Sequence, residues 1–113
     1  MTLDEFFAGR DESRRIFDTL HSAADELGSV EVRITKSQVA FRRRIGFAWA
    51  WIPGMHLTGQ VAPLVLSVSL RRRDDSSRWK EVVEPYPGRF MHHLELRDPS
   101  EIDAEVRGWL VEA

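Results

Sequence analysis

The sequence contains no cysteine among its 113 residues. This absence excludes disulfide bonds, a thiolate nucleophile and any zinc or iron–sulfur site built on cysteine. Glycine and proline are also sparse, at 7 and 5 residues, which excludes collagen-like and low-complexity chains. Because 42% of the residues are hydrophobic and the length is usual for one domain, we expect residues 1–113 to form a single domain.

Long apolar segments are also missing. The longest apolar run, from Ile45 to Pro53, is far shorter than the roughly 20 residues that span a bilayer. The first residues are acidic and lack the basic start and long apolar stretch of a signal peptide. We therefore expect a cytoplasmic protein with no membrane partner.

The chain as a whole has no large excess of charge of either sign, but its segments do. The net charge is −2, which by itself argues against a nucleic-acid binder. Residues 1–32 hold eight acidic and three basic residues, residues 33–97 hold five and twelve, and residues 98–113 hold five and one. Two acidic ends thus flank a basic middle. Either the ends and the middle attract one another within the fold, or the middle leaves a basic surface for an anionic partner.

The acidic ends show helical patterns. Thr2 and Glu5 have the spacing of a capping box, which predicts a short helix that ends near Gly9. Residues 11–27 have apolar side chains at helical spacing and stop at Gly28. At the other end, Asp98, Pro99 and Glu101 predict the cap and first turn of a terminal helix.

The basic middle shows the alternation of strands. The period of two is clear in residues 30–35 and 64–71, and residues 38–52 indicate a hairpin. Residues 79–84 and 90–97 predict two more strands around a turn at residues 85–88. Short links favour antiparallel pairing. We predict an α+β fold: an antiparallel sheet of five or six strands with an N-terminal helix pair and a C-terminal helix packed on one face.

The register of the hairpin decides what its arginines do. A two-residue turn at Ile45 and Gly46 gives the pairs Arg44 with Phe47, Arg42 with Trp49 and Ala40 with Trp51. Paired residues share a face, so this register places arginines among aromatic rings, a surface suited to phosphate contact and base stacking.

A three-residue loop of Arg44, Ile45 and Gly46 is the other register. It requires Gly46 in the left-handed conformation and pairs Arg43 with Phe47, Phe41 with Trp49 and Val39 with Trp51. We prefer this register because it gathers the aromatic side chains on one buried face. The opposite face would then carry Arg42 and Arg44, together with serines and His93 from other strands.

No residue is assigned a catalytic role, and neither a metal nor a cofactor is indicated. His92 and His93 are adjacent on a predicted strand and therefore point to opposite faces. His92 falls among apolar residues, which is typical of a buried structural histidine, whereas His93 falls on the polar face. The segment Gly54 to Gln60 has the outer spacing of a phosphate-binding loop but has Gln60 in place of its lysine, so we discard it.

The central segment from Ile34 to Trp51, ITKSQVAFRRRIGFAWAW, resembles the core motif of a bacterial family of domains of unknown function, number 5655. The flanks Phe6–Gly9, Arg89–Arg97 and Glu101–Leu110 are similar to those of the same family. The positions that match its motif are Lys36, Phe41, Arg42, Phe47, Trp51, His92 and His93. The resemblance implies a small cytoplasmic bacterial domain and carries no established activity.

Three functions remain open from the sequence. The first is a non-catalytic binding module whose basic central sheet takes an anionic ligand, an acidic protein surface or nucleic acid. Its contacts would be Lys36, Arg42, Arg44 and Arg71, with His93 at the rim. The second is a small enzyme in which His92 or His93 acts as an acid–base in a pocket. The third is an interaction or dimerisation domain.

Overall fold

A computed structural model describes residues 1–113. Six strands form one antiparallel sheet in the order β1-β2-β3-β4-β6-β5, and the predicted α+β fold is confirmed. The strands are β1 (Glu31–Ile34), β2 (Val39–Arg42), β3 (Gly46–Trp51), β4 (Leu64–Leu70), β5 (Glu81–Tyr86) and β6 (Arg89–Leu96). The α-helices are α1 (Leu3–Phe6), α2 (Asp11–Asp25) and α3 (Ala104–Glu112).

The helices cover one face of the sheet. A row of paired residues crosses that face from β2 to β6: Phe41, Ala48, Val68 and His92. All four are buried, and Phe17 of α2 stacks on Phe41 with the ring centroids 5.8 Å apart. One hydrophobic cluster of 24 buried residues joins the helices to this face, so the opposite face of the sheet, the open face, is left without a helix.

The ends of the chain follow their local signals. The capping box of Thr2 and Glu5 is present, with both backbone-to-side-chain hydrogen bonds formed. At the other end the predicted helix start is wrong by one turn. Asp98 and Glu101 do form a capping box, but it begins a short 3-10 helix, Pro99–Glu101. Helix α3 begins after a second cap, where the Asp103 carboxylate accepts the amide of Val106 at 3.1 Å.

Both predicted hairpin registers are wrong. The loop has three residues, but these are residues 43–45, because β3 already begins at Gly46. Ala40 pairs with Trp49 and Phe41 with Ala48, and a bulge lies between Phe41 and Arg42. Gly46 does not have a positive φ.

The corrected register exchanges the two faces of β3 over residues 48–51. Ala48 and Ala50 lie on the helix side and are fully buried, whereas Trp49 and Trp51 are half-buried on the open face. Small alanines allow the core side chains to approach the sheet closely. On the open face the indole N–H of Trp51 donates to the hydroxyl of Ser67.

The last two strands are displaced from their predicted limits. Strand β5 continues to Tyr86 and includes Pro85, so the turn is made by Pro87 and Gly88 alone, with Gly88 at a φ of 79°. Proline is tolerated there because β5 is an edge strand, and the pairing with β6 is interrupted between Val83 and Tyr86. The turn sets the position of Arg89, the first residue of β6.

Candidate functional site

Four arginines surround one cleft at an end of the open face. The cleft has a volume of about 700 Å³. We call it the arginine cleft. Its arginines come from three places in the sequence: Arg43 and Arg44 from the β2–β3 loop, Arg71 directly after β4, and Arg89 from the start of β6. Antiparallel pairing of β3, β4 and β6 brings these three chain segments to the same end of the sheet.

None of the four arginines of this cleft forms an ion pair, whereas other arginines of the chain do. The guanidinium of Arg89 lies 3.4 Å from the hydroxyl of Ser69. Glu112 also lines the cleft, but both of its carboxylate oxygens accept hydrogen bonds from Arg72, at 2.7 and 2.8 Å. The cleft therefore carries several uncompensated positive charges.

A second cleft adjoins the first on the same face. It has a volume of about 440 Å³, and we call it the tryptophan cleft. Its lining includes the rings of Trp49, Trp51, His56 and His93 and the thioether of Met91, together with Ser37, Gln38 and Ser67. The two clefts are neighbours because Ser67 and Ser69 are two residues apart on β4, about 7 Å.

A hydrogen-bond chain fixes the geometry of the tryptophan cleft. The indole Nε1 of Trp51 donates to the hydroxyl of Ser67 at 2.9 Å, and that hydroxyl lies 2.7 Å from Nδ1 of His93. An indole can only donate, so the arrangement that satisfies all three groups has Ser67 donating to Nδ1. This network assigns the proton of neutral His93 to Nε2.

His93 is half-buried and lines two clefts. On the far side of Trp51 and His93 lies a third cleft of about 330 Å³, which is also lined by Lys80, Glu81 and Glu95. Burial lowers the pKa of His93 below its ordinary value and outweighs the opposing effect of Glu81. His93 is therefore neutral near pH 7, with an N–H available as a donor.

His92, its neighbour, is a structural residue. It is fully buried, its Nε2 accepts the backbone amide of Asp74 at 2.9 Å, and its Nδ1 lies 3.1 Å from the carbonyl oxygen of Phe90. A carbonyl can only accept, so Nδ1 carries the proton and both nitrogens are used. With no free nitrogen, His92 does not serve as an acid–base.

The sequence model of one protein family, described as a domain of unknown function (DUF5655), matches residues 3–113. The chain belongs to the DUF5655 family. The resemblance drawn from the central segment and its flanks is thus confirmed over essentially the whole chain. No curated protein and no solved structure matches the chain.

The DUF5655 domain distributes the five predicted contact residues over different places. Arg44 and Arg71 lie together in the arginine cleft, and His93 lies in the tryptophan cleft. Arg42 pairs with Glu31 across the strands, with Nε 3.6 Å from a carboxylate oxygen. Lys36 is exposed in the β1–β2 turn, beside the Ser37 and Gln38 of the tryptophan cleft and at the opposite end of β2 from Arg44.

Sequence reasoning missed four residues of these clefts. Arg43 and Arg89 were not selected. The preferred register assigned Trp49 and Trp51 to the core, although the two-residue turn had placed them beside arginines. The triplet of arginines at residues 42–44 is a signal that could have included Arg43. The tryptophans could be placed only with the correct register.

The DUF5655 domain has no cluster of three or more histidine, aspartate or glutamate residues that could hold a metal ion. No helix of the domain is long and apolar enough to cross a membrane.

Proposed function

We propose that this DUF5655 domain is a non-catalytic binding module that takes a phosphate-bearing anionic ligand in the arginine cleft. The observation that carries the proposal is the convergence of Arg43, Arg44, Arg71 and Arg89 on one cleft without a carboxylate partner. Four positive charges in a concavity attract a multiply charged anion, and the walls of low dielectric constant focus their field.

The chemistry of arginine supports phosphate as the group that is bound. Each guanidinium presents a planar fork of N–H donors that matches phosphate oxygens two at a time. Ser69 adds a hydroxyl beside Arg89 in the same cleft. The cleft volume of about 700 Å³ also leaves room for a ligand that bears more than one phosphate.

The pairing of the other arginines supports the proposal by contrast. Arg78 binds Asp103 and Glu105, and Arg107 binds Glu26, all between 2.8 and 3.1 Å. These arginines are neutralised by the acidic ends of the chain. Of the eight basic residues that form no ion pair, four line the arginine cleft.

Isothermal titration calorimetry with inorganic tripolyphosphate tests the proposal. We expect the double variant Arg44→Ala/Arg71→Ala to lose at least tenfold in affinity, as two phosphate contacts are removed. Its slope of log affinity against log salt should also fall by about 2. The matched control is Arg15→Ala on α2, which removes one exposed arginine that makes no ion pair and leaves both clefts intact. Binding that survives in the double variant, or that falls equally in the control, refutes the proposal.

Acid–base catalysis by His93 is a second candidate function. It is favoured by one observation, that two clefts reach a neutral histidine anchored through Nδ1. Hydrolysis of the chromogenic diester bis-p-nitrophenyl phosphate should then occur and disappear in His93→Gln. Absence of hydrolysis in the unmodified protein, or retention of it in the variant, refutes this role.

A further inference from the structure

The open face places an aromatic surface directly beside the arginine cleft. A Cβ added to Gly46, which lines the arginine cleft, would lie 2.8 Å from Cζ2 of Trp49. The indole of Trp49 therefore packs over Gly46, and the same residue lines the tryptophan cleft. Trp49 therefore lines the tryptophan cleft and packs against a residue of the arginine cleft.

The second ring is held in place before any ligand arrives. The hydrogen bond of Trp51 to Ser67 fixes the indole, and His93 stands edge-on to it, with an interplanar angle of 89° and centroids 6.3 Å apart. The ring of His56 lies at the same centroid distance on Trp51. A rigid, half-exposed aromatic surface binds a flat ring at a low cost in conformational entropy.

The two clefts are within reach of one small ligand. Arg89, Met91 and His93 lie on the open face at alternate positions of β6. Ser67 and Ser69 do the same on β4, and Arg71 follows directly after that strand. The distance from Arg89 to His93 along the strand is about 13 Å. A phosphate held at one end of this row leaves the rest of the same molecule over the tryptophans.

Polar groups around the rings suit the edge of a heterocyclic base. The proton on Nε2 of His93 gives the cleft a neutral donor, and Gln38 and Ser37 provide amide and hydroxyl groups at the rim. Stacking tolerates any base because every base has a flat π-face. The site therefore fits the combination of a phosphate and a planar base.

Resting on the proposed function, we infer that the ligand is a nucleotide unit, with its phosphates in the arginine cleft and its base stacked on Trp49 and Trp51. The unit belongs either to a free nucleotide or to a single-stranded nucleic acid, since both present the same chemistry. An anion without a ring, such as an acidic peptide, would use the arginines but leave the tryptophans uncovered.

The test compares ATP without magnesium, inorganic tripolyphosphate and an eight-nucleotide single strand by calorimetry and by quenching of tryptophan fluorescence. We expect ATP to bind at least tenfold more tightly than tripolyphosphate, because stacking adds to the same triphosphate contacts. Trp49→Ala should lower the affinity for ATP about tenfold and change that for tripolyphosphate less than twofold. Trp49→Phe keeps a ring and should retain most of the affinity for ATP, which separates stacking from damage to the fold.

The outcomes distinguish this inference from the proposal on which it rests. Equal affinity for ATP and tripolyphosphate, unchanged in Trp49→Ala, overturns the nucleotide and leaves the phosphate site standing. A glutamate octapeptide is titrated as a further probe, and tighter binding of this peptide than of ATP and tripolyphosphate also overturns the inference of a nucleotide ligand. Failure of all probes refutes both. Tighter binding of the eight-nucleotide strand than of ATP supports the inference and identifies nucleic acid as the source, and the reverse order supports it with a free nucleotide.

Discussion

Replacing Asp74, in the charged loop between β4 and β5, with alanine should destabilise the domain strongly. The carboxylate is almost enclosed and accepts three hydrogen bonds: from the indole of Trp79 at 2.8 Å, the amide of Ser76 at 3.1 Å and the guanidinium of Arg72 at 2.9 Å. The Asp74 side chain therefore organises the loop that follows Arg71.

The magnitude follows from what each donor loses. The indole N–H of Trp79 belongs to a side chain that is 8% exposed, and leaving such a donor unpaired costs about 1–3 kcal/mol. The hydrogen bond to the Ser76 amide adds about 1 kcal/mol. Arg72 is half-exposed and keeps Glu112 as a partner, so its share is about 0–1 kcal/mol. The expected total is about 3 kcal/mol, a large part of the roughly 5–15 kcal/mol typical of a domain.

Urea unfolding followed by tryptophan fluorescence measures this change. The control is Asp75→Ala, in which the adjacent carboxylate is exposed and makes no hydrogen bond, so its stability should stay within about 0.5 kcal/mol. Equal effects of the two substitutions would show that Asp74 has no anchoring role. Affinity for tripolyphosphate should also fall in Asp74→Ala, because the loop it holds begins at Arg71.

The effect of Asp74 should depend on pH in a defined direction. Burial raises the pKa of its carboxyl, but the hydrogen bonds from Trp79, Ser76 and Arg72 together outweigh burial and hold the pKa below its ordinary 3.8. The stabilisation is therefore complete above pH 3.8 and is lost as the pH falls through the lower folded value. The stability difference between wild type and Asp74→Ala should be constant near neutral pH and shrink in acid.

Two further predictions concern single sites. Burial lowers the pKa of His92 below its ordinary 6.5. The stability that neutral His92 gives is therefore complete above pH 6.5 and declines as the pH falls from 6.5 towards the lower pKa of the folded state. Urea unfolding between pH 8 and 5 should show this decline, and the variant His92→Gln should show a flatter dependence on pH. Gly46→Ala should destabilise the domain by about 1–3 kcal/mol because its Cβ would meet Trp49. Gly108→Ala, in open space within α3, should stabilise it by up to about 1 kcal/mol. A higher melting temperature for Gly46→Ala than for Gly108→Ala would contradict both expectations.

The features of the fold that the sequence predicts correctly are those determined by residues close together in the chain. The capping box of Thr2 and Glu5 lies within four residues, and the alternation of β4 needs no partner to be recognised. His92 and His93 were separated correctly because adjacent residues on a strand face opposite sides. Each of these inferences depends on the chain near the residue and not on what packs against it.

The register of β2 and β3 is not determined by residues close together in the chain. The expectation that the largest rings fill the core placed Trp49 and Trp51 inside, but the helix side of β3 is occupied by Ala48 and Ala50. The helices and β2 already supply large side chains to that layer, including Phe17 and Phe41. The partner of the Trp51 indole, Ser67, is 16 residues away, so neither the packing nor the hydrogen bond is visible in the segment itself.

The charge of the chain explains why the arginine cleft stays open. Several carboxylates of the acidic ends are bound to particular arginines away from the cleft, such as Glu26 to Arg107 and Asp103 to Arg78, and so do not screen it. Glu112 is the decisive example, since it lies at the cleft and is held by Arg72 with two hydrogen bonds. Hydrogen bonds from Arg72 lower the pKa of Glu112, with burial opposing them, so it stays ionised and paired with Arg72. A net charge near zero is therefore compatible with a locally basic site, because the fold neutralises arginines selectively and leaves Arg44 and Arg71 without an acidic partner.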